Sequence, residues 1–262
     1  MTLVPDLNLP MPRLMFITDP GRTVGRELPK VVELVLKGGC RMVQVRAPGL
    51  DDRAFYLLAR QLTHLINAFG ALSIINDRID ICHAVGAQGV HLGSNDLPLR
   101  VARQLLGPNK LLGYSAHTLK ELRKVGAEGA DYATFSPIYT MPHKDPRGEP
   151  WGPVGYREAK MTSEVPVFAL GGITLERIPE LLIDDAEEYG HSRIAVVSLL
   201  SEALKVKERT EDVLRMLHPD RSSDQAEAIE ARYTFEPENL VDDREEGLDP
   251  HAGGSSAEDQ DA

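Results

Sequence analysis

The chain has 262 residues, of which 42% are hydrophobic, so it is long enough for one α/β barrel or for two smaller domains. Its formal net charge is −11, a balance that does not favour nucleic acid as a partner. No apolar run approaches the roughly 20 residues that span a bilayer, and residues 1–12 lack the basic and apolar regions of a secretory signal. We therefore expect a cytoplasmic protein that binds neither a membrane nor nucleic acid.

The negative charge is concentrated at the end of the chain. Residues 220–262 contain 14 acidic and 3 basic residues, which leaves 26 charges of each sign in the preceding body. This segment is also poor in apolar residues, a composition typical of disorder. We expect an N-terminal extension (1–12), one folded domain (13–218) and a disordered acidic tail (219–262). Docking of a partner at residues 233–235 is the alternative to a purely solvating tail.

Short β-type runs alternate with amphipathic stretches along the body of the chain. The predicted strands are residues 14–18, 42–45, 72–75, 89–92, 111–114, 132–135, 167–170 and 194–197. The predicted helices are residues 28–37, 54–69, 99–106, 119–125, 175–183 and 199–217. Alternation of this kind, with eight strands, predicts a (β/α)₈ TIM barrel.

A doubly wound open sheet is the competing α/β architecture. It would place a Gly-x-Gly-x-x-Gly turn after its first strand, and residues 19–25 lack that spacing. A barrel also explains why polar motifs follow nearly every predicted strand, because catalytic groups in this fold lie on the loops at the carboxyl ends of the strands. The barrel is therefore the favoured architecture.

Acidic motifs follow the third and fourth predicted strands. Asn76-Asp77 ends one strand and Asp96 follows the next, and the two aspartates are 19 residues apart. That distance accommodates one helix and one return strand, so parallel neighbours would bring both carboxylates to one edge of the sheet. Hard oxygen ligands of this kind predict a Mg²⁺ site on Asp77 and Asp96. Helix capping is the alternative, since Asp96-Leu97-Pro98 resembles a helix start.

Polar side chains also follow the second and fifth strands. Gln44 and Arg46 share one face of the second strand, and a guanidinium group there suits a phosphate oxygen, with a salt bridge inside the barrel as the alternative. After the fifth strand, Ser115 is a candidate to bind substrate through its hydroxyl group. The alternative is structural, since Thr118 resembles the start of a capping box and His117 fits simple packing.

The last three strand ends point to anion binding. Residues 136–148 form a long loop rich in proline and charge, typical of a lid or binding loop, in which Lys144 is either a phosphate ligand or a solvated lysine. Gly171-Gly172 follows the seventh strand, and the eighth ends in Val196-Val197-Ser198. These two loops commonly bind a phosphate in this fold, and glycine lets the backbone approach it closely.

Eight motifs thus follow one another along the chain: Gln44-x-Arg46, Ile75-Asn76-Asp77-Arg78, Gly89-Val90-His91-Leu92-Gly93, Asp96-Leu97-Pro98, Ser115-x-His117-Thr118, Ser136-Pro137-Ile138-Tyr139, Gly171-Gly172-Ile173 and Val196-Val197-Ser198. In sequence, order and spacing they resemble the superfamily of thiamine phosphate synthases (thiamine-phosphate pyrophosphorylases) and thiazole tautomerases. The resemblance covers roughly residues 13–217.

The resemblance implies an enzyme that joins a pyrimidine to a thiazole. Hydroxymethylpyrimidine diphosphate would lose pyrophosphate, and its electron-rich ring would carry the resulting methylene cation. The nitrogen of hydroxyethylthiazole phosphate would then attack this carbon to give thiamine phosphate. The protein would act by positioning its substrates and stabilising charge. Its partners would be these two small molecules, and the sequence leaves a homo-oligomer open.

The resemblance also implies a role for each motif. The cofactor would be Mg²⁺, held by Asp77 and Asp96. The pyrophosphate would be surrounded by Arg46, Asn76 and Lys144. The pyrimidine would contact Gln44 and Ser115. The thiazole phosphate would be held by Gly172, Val197 and Ser198. The catalytic residues of this set would be Arg46, Ser115 and Lys144.

The chain departs from the family pattern on the diphosphate side. The family usually reads Arg-Glu-Lys where this chain has Arg46-Ala47-Pro48, and Pro-Thr-x-Thr-Lys where it has Thr140-Met141-Pro142-His143-Lys144. A thiazole tautomerase is one alternative, although that group carries a histidine at the position of Pro137. A non-catalytic regulatory barrel that binds thiazole phosphate is the other.

Overall fold

The computed structural model of the protein describes residues 11–140, 149–182 and 191–218. The predicted acidic tail and nearly all of the predicted N-terminal extension lie outside these residues. The strands are β1 (Leu14–Ile17), β2 (Met42–Val45), β3 (Leu72–Asn76), β4 (Gly89–Leu92), β5 (Leu111–Ala116), β6 (Tyr132–Phe135), β7 (Val167–Leu170) and β8 (Arg193–Val196). They pair in parallel in sequence order, and β8 pairs with β1 to close the barrel. The predicted TIM barrel is confirmed.

Helices connect the strands on the outside of this barrel. They are α1 (Leu28–Lys37), α2 (Asp52–Ala68), α3 (Ile79–Ala84), α4 (Leu99–Leu106), α5 (Leu119–Val125), α6 (Gly152–Thr162), α7 (Ile178–Leu182), α8 (Ser198–Ser201) and α9 (Val206–Leu217). Short 3₁₀ turns occur at Pro20–Arg22 and Leu175–Arg177. In the described part of the chain, none of the helices is long and apolar enough to cross a membrane.

Two helices of the structure were not predicted, and one predicted helix is divided. The sequence patterns missed α3, which is only six residues long, and α6, whose first turn contains glycine and proline. The helix predicted over 199–217 is two helices, and Arg26 donates hydrogen bonds to the carbonyl oxygens of Ser201 (2.7 Å) and Ala203 (2.8 Å) at the break. Such donors satisfy carbonyl oxygens that a helix end leaves without an amide partner.

The strands carry two apolar layers because successive side chains point to opposite faces. One face packs against the helices and contributes to the larger cluster of buried side chains. The other fills the barrel interior with Met15, Ile17, Met42, Ile74, Leu111, Tyr132 and Phe168. Towards the carboxyl ends the interior becomes polar, with buried Gln44, His91 and Thr134. The apolar layer is therefore the floor of a polar site at the barrel mouth.

Candidate active site

The two predicted metal ligands meet at the carboxyl ends of β3 and β4. Asp77 has a φ of +62°, a left-handed conformation that is uncommon for residues other than glycine and often occurs at functional sites. Its amide donates to the carbonyl oxygen of His91 at 2.9 Å, which fixes this conformation beside β4. The Asp96 carboxylate accepts a 2.6 Å hydrogen bond from the Gly93 amide.

Neither aspartate caps a helix. The N-cap residue of α3 is Arg78 and that of α4 is Pro98, and no side-chain hydrogen bond caps either helix. The helix-capping alternative for the aspartates is therefore wrong. Both carboxylates remain at the mouth of the barrel.

The charges around Asp77 form one local cluster. The pKa of Asp77 is raised to about 6, chiefly by desolvation of its carboxyl group and then by the charge of Asp96 and a hydrogen bond with it. The Arg46 charge and an Asn76 hydrogen bond act in the opposite direction. These side chains, from the ends of three strands, thus lie close enough for the other three to act on Asp77.

The donor set of this cluster fits Mg²⁺. A divalent cation between Asp77 and Asp96 would relieve the repulsion that raises the pKa of Asp77. Within the described residues, no group of three or more His, Cys, Asp or Glu side chains is placed to hold a metal. Two carboxylates are nevertheless a typical protein contribution for Mg²⁺, which keeps several waters and substrate phosphate oxygens in its shell.

Arg46 lies at the rim of the barrel rather than inside it. The Thr18 hydroxyl group accepts from the Arg46 amide at 2.8 Å and donates to its carbonyl oxygen at 2.7 Å, which ties the end of β2 to β1. The guanidinium Nη1 is 3.6 Å from Asp19 Oδ2, a long ion pair between partly exposed side chains. The predicted alternative of a salt bridge inside the barrel is therefore not observed. The structure gives the other guanidinium donors no hydrogen bond to a described residue, so they are available to a phosphate group.

Thr18 and Asp19 were missed by the sequence analysis. The signal was present, because Thr18-Asp19 ends an apolar run in the same way as Asn76-Asp77 ends the third strand. Their importance depends on the pairing of Phe16 and Ile17 with β2, which places this strand end beside Arg46.

A hydrogen-bonded chain lies directly beneath the mouth. His91 Nε2 is 2.9 Å from Ser115 Oγ, and His91 Nδ1 is 3.2 Å from the Tyr132 hydroxyl oxygen. Burial lowers the pKa of His91 to about 3, so its imidazole ring is neutral at ordinary pH. The sequence analysis quoted His91 only as part of a motif and missed Tyr132. The strand alternation that points both side chains inward was the available signal.

Gln44 adds a second polar group to the barrel interior. Its side chain is 2% exposed, and its Nε2 atom has no hydrogen-bond partner among the described residues. Most buried polar atoms in native proteins are satisfied. This amide is therefore a donor that the acceptor atom of a ligand would satisfy.

At the ends of β7 and β8, backbone groups rather than charged side chains line the mouth of the barrel. Gly171 and Gly172 have φ values of +102° and +63°. A Cβ atom at Gly172 would lie 2.8 Å from the Thr140 carbonyl oxygen, so only glycine fits here without movement of the loop. Arg177 donates to the Gly172 carbonyl oxygen at 2.7 Å and lies 4.6 Å from the centre of the Tyr139 ring. Arg177 was also missed by the sequence analysis.

The remaining predicted residues lie after β8, lie after β5 in structural roles, or fall outside the described part of the chain. Val197 is partly buried and Ser198 is exposed, where α8 follows β8. Thr118 and Glu121 form the predicted capping box, and His117 has a structural role, since its Nδ1 is 2.8 Å from the Ser136 carbonyl oxygen. Lys144 lies outside the described residues, as do Met141 and His143.

Comparisons with known proteins agree with this architecture. A model of the thiamine monophosphate synthase family matches residues 14–200. A protein of Geobacter sulfurreducens named as a putative thiamine-phosphate synthase is 41% identical over 206 residues, which cover 79% of this chain and 94% of that protein. The thiamine-phosphate synthase of Albidiferax ferrireducens is 39% identical over 202 residues, covering 77% of this chain and 90% of that relative.

A solved structure gives the same answer. The thiamine phosphate pyrophosphorylase from Pyrococcus furiosus superposes with a TM-score of 0.70 at 29% sequence identity, covering 79% of this chain and 96% of that chain. Sequence and structure therefore point to one family over nearly the whole described barrel. The chain belongs to the thiamine monophosphate synthase family, and the activity expected from its motifs, that of a thiamine-phosphate synthase, is confirmed by these relatives.

Proposed function

We propose that the barrel mouth joins hydroxymethylpyrimidine diphosphate to hydroxyethylthiazole phosphate, giving thiamine phosphate and pyrophosphate. The C–O bond between the pyrimidine methylene and the diphosphate breaks, and its electron pair leaves on oxygen. The lone pair of the thiazole nitrogen then forms the new C–N bond. The chain supplies position and charge complementarity for both events.

The diphosphate side lies at the ends of β2, β3 and β4. Asp77 and Asp96 would hold Mg²⁺, which would neutralise charge on the leaving pyrophosphate when bound. Arg46 would present its guanidinium fork to the same group, with Asp19 3.6 Å away to keep it at the rim. The hydrogen bond of Asn76 to Asp77 would keep that carboxylate ionised and oriented, since it lowers the pKa of Asp77. Lys144 is proposed as a further cation from the loop after β6.

The pyrimidine would lie over the polar interior between the two sides of the mouth. Ser115 and Gln44 would contact it, Ser115 from the end of β5 and Gln44 from β2. Both are hydrogen-bonding groups without charge, so neither opposes a developing cation on the methylene carbon. The neutral His91 ring beneath Ser115 has the same advantage.

The thiazole phosphate would lie at the ends of β7 and β8. The backbone around Gly172 and Val197 would approach the phosphate closely, and Ser198 would add a hydroxyl donor. Arg177 would act indirectly, because its guanidinium group holds the Gly172 carbonyl oxygen. This arrangement would present the thiazole nitrogen towards the pyrimidine methylene.

The observation that carries this proposal is the crowding of Asp77 and Asp96 beside Arg46. Repulsion between the two carboxylates contributes to an Asp77 pKa of about 6, and a divalent cation with a diphosphate is the complementary ligand. The unsatisfied Gln44 amide supports a ligand in the adjoining interior.

The test is an assay of the purified full chain with both substrates and Mg²⁺, scored for thiamine phosphate and pyrophosphate. We expect equal amounts of the two products and loss of both when Mg²⁺ is chelated. A regulatory barrel would bind thiazole phosphate but release no pyrophosphate. A tautomerase would convert an isomer of the thiazole precursor when no pyrimidine is present. Either result would overturn the proposal.

A further inference from the structure

We propose that Tyr132 and His91 are positioning residues that fix the Ser115 hydroxyl group as a hydrogen-bond donor towards the bound pyrimidine. The inference rests on the proposed function for the identity of the ligand, but the orientation of the hydroxyl group follows from the protein alone. It assigns a role to two interior residues that do not reach the mouth themselves.

The first step concerns the Tyr132 hydroxyl group. Tyr132 has no solvent exposure, and His91 Nδ1, at 3.2 Å, is its hydrogen-bond partner among the described residues. A buried phenol O–H must donate to an acceptor or lose the free energy of that bond. The Tyr132 hydroxyl group therefore donates, and His91 Nδ1 accepts.

The second step fixes the tautomer of His91. Because Nδ1 uses its lone pair to accept from Tyr132, the single N–H of the neutral ring is on Nε2. Among the described residues Nε2 has two partners, Ser115 Oγ at 2.9 Å and Thr134 Oγ1 at 3.5 Å. The second distance is too long for a strong hydrogen bond, so the shorter Tyr132 contact decides the tautomer. A protonated ring would donate from both nitrogens and leave the phenol without its acceptor. His91 thus donates to Ser115.

The third step gives the direction of the Ser115 proton. Since Ser115 Oγ accepts from His91, its own O–H must point away from the ring, and no second protein partner for it occurs among the described residues. Ser115 is only partly buried and lies at the end of β5, where the mouth begins. A ligand at the mouth of the barrel therefore meets the Ser115 O–H as a hydrogen-bond donor. The matching ligand atom is an acceptor, such as a pyrimidine ring nitrogen with a free lone pair.

Glycine at position 113 makes this chain of contacts possible. A Cβ atom on Gly113 would lie 2.4 Å from His91 Nδ1 and 2.2 Å from Tyr132 Cζ. Any larger residue would therefore separate the imidazole from the phenol. Phe168 packs edge-on against Tyr132, with ring centres 5.7 Å apart, and limits movement of the phenol from the other side.

The direct test is nitrogen NMR of the full chain labelled with ¹⁵N-histidine, without substrates. The His91 signals are assigned by their loss in His91→Gln. We expect the Nε2–H tautomer in the parent protein, and in Tyr132→Phe a shift of the Nδ1 resonance towards that of a nitrogen without a hydrogen bond, because the phenol no longer donates to it. An Nδ1–H tautomer in the parent, or an unchanged Nδ1 resonance in Tyr132→Phe, overturns the proposal. Neither outcome depends on whether the chain makes thiamine phosphate.

Kinetics provide the second test. Loss of one neutral hydrogen bond predicts a fall of about fivefold in kcat/KM for the pyrimidine diphosphate in Tyr132→Phe. The KM for thiazole phosphate should stay unchanged, whereas a general loosening of the barrel would raise the KM for both substrates. His64→Gln, an exposed histidine on α2, is the matched control and should match the parent. Equal effects on both substrates would overturn the positioning role. A parent that binds neither substrate would instead contradict the proposed function.

Discussion

On the β2–β4 side of the barrel mouth, charged side chains crowd together, whereas the β7–β8 side is built mainly from backbone. On the first side, the charges of Asp96 and Arg46 both act on Asp77. On the second side, Gly171 and Gly172 adopt conformations that other residues rarely adopt. Arg177 donates a hydrogen bond to the Gly172 carbonyl oxygen and so holds this turn in place. The two sides would therefore fail differently when a single residue is changed.

The physical reason is the source of the binding energy on each side. A charged side chain acts through a single group of atoms, so its removal takes away a large part of the electrostatic stabilisation. Backbone amides are present whatever the side chain, and a substitution acts there only through shape. We expect charge to control turnover on the β2–β4 side and steric fit to control affinity on the β7–β8 side.

The largest effect is expected from the carboxylates. Asp77→Ala and Asp96→Ala should each lower Mg²⁺-dependent formation of thiamine phosphate by on the order of 10³ or more, because each removes a proposed metal ligand. The readout is product formation at saturating substrates, with circular dichroism to confirm the fold. Asp212→Ala, which changes a partly exposed carboxylate on α9, is the control and should be fully active. Full activity in both site variants would contradict the proposal that Asp77 and Asp96 bind Mg²⁺.

Next comes the guanidinium group of Arg46. Arg46→Ala should lower kcat/KM for the pyrimidine diphosphate about 100-fold, and Arg46→Lys about tenfold, since lysine keeps the charge but loses the planar fork. Steady-state kinetics with each substrate varied in turn measure this. Arg215→Ala changes an arginine exposed on α9 and should have no effect. A defect confined to the KM for thiazole phosphate would place Arg46 on the wrong side of the site.

The backbone side is tested at Gly172. In Gly172→Ala the new Cβ atom meets the Thr140 carbonyl oxygen, and the left-handed conformation adds strain of about 1–2 kcal/mol. We expect the KM for thiazole phosphate to rise about tenfold while kcat changes little. Gly86→Ala is the matched control: its φ of +68° is close to that of Gly172, but nothing lies within 4 Å of its Cβ. Similar KM changes in both variants would show that strain, rather than the site, is responsible.

The smallest effect is the pH dependence of stability without metal. The folded pKa of Asp77 is about 6, above its ordinary value of 3.8, so its charged form opposes folding. That penalty is complete above pH 6 and disappears as the pH falls towards 3.8. Asp77→Asn should therefore raise the Tm in excess chelator at about pH 7.5 by about 1–3 °C, a modest shift because the site is exposed.

The comparison that checks this is the same melting experiment at lower pH. The Tm difference between parent and Asp77→Asn should shrink as the pH falls below 6. Adding Mg²⁺ near neutral pH should reverse its sign, because only the parent retains both proposed ligands. A higher Tm for the parent in chelator at neutral pH would contradict the raised pKa.

Much of the fold was accessible from the sequence because the barrel repeats a local pattern. All eight predicted strands are present, with ends that differ by at most two residues. The errors fell where local pattern is weak. The six residues of α3 are too few for a period to emerge, and at the break between α8 and α9 the free carbonyl oxygens are bound by Arg26, a residue far away in the chain.

The sequence by itself determined the order of strands and the polar residues that end them, since both are properties of short segments. Only the tertiary structure decided which polar groups meet. His91 contacts residues 24 and 41 positions later in the chain, and Arg46 contacts Asp19, 27 positions earlier. Such pairs are set by strand register and by closure of the barrel, which no local pattern encodes. The pairing of Asp77 with Asp96 is intermediate between what the sequence determines and what the tertiary structure decides. Two adjacent parallel strands are enough to bring these carboxylates together.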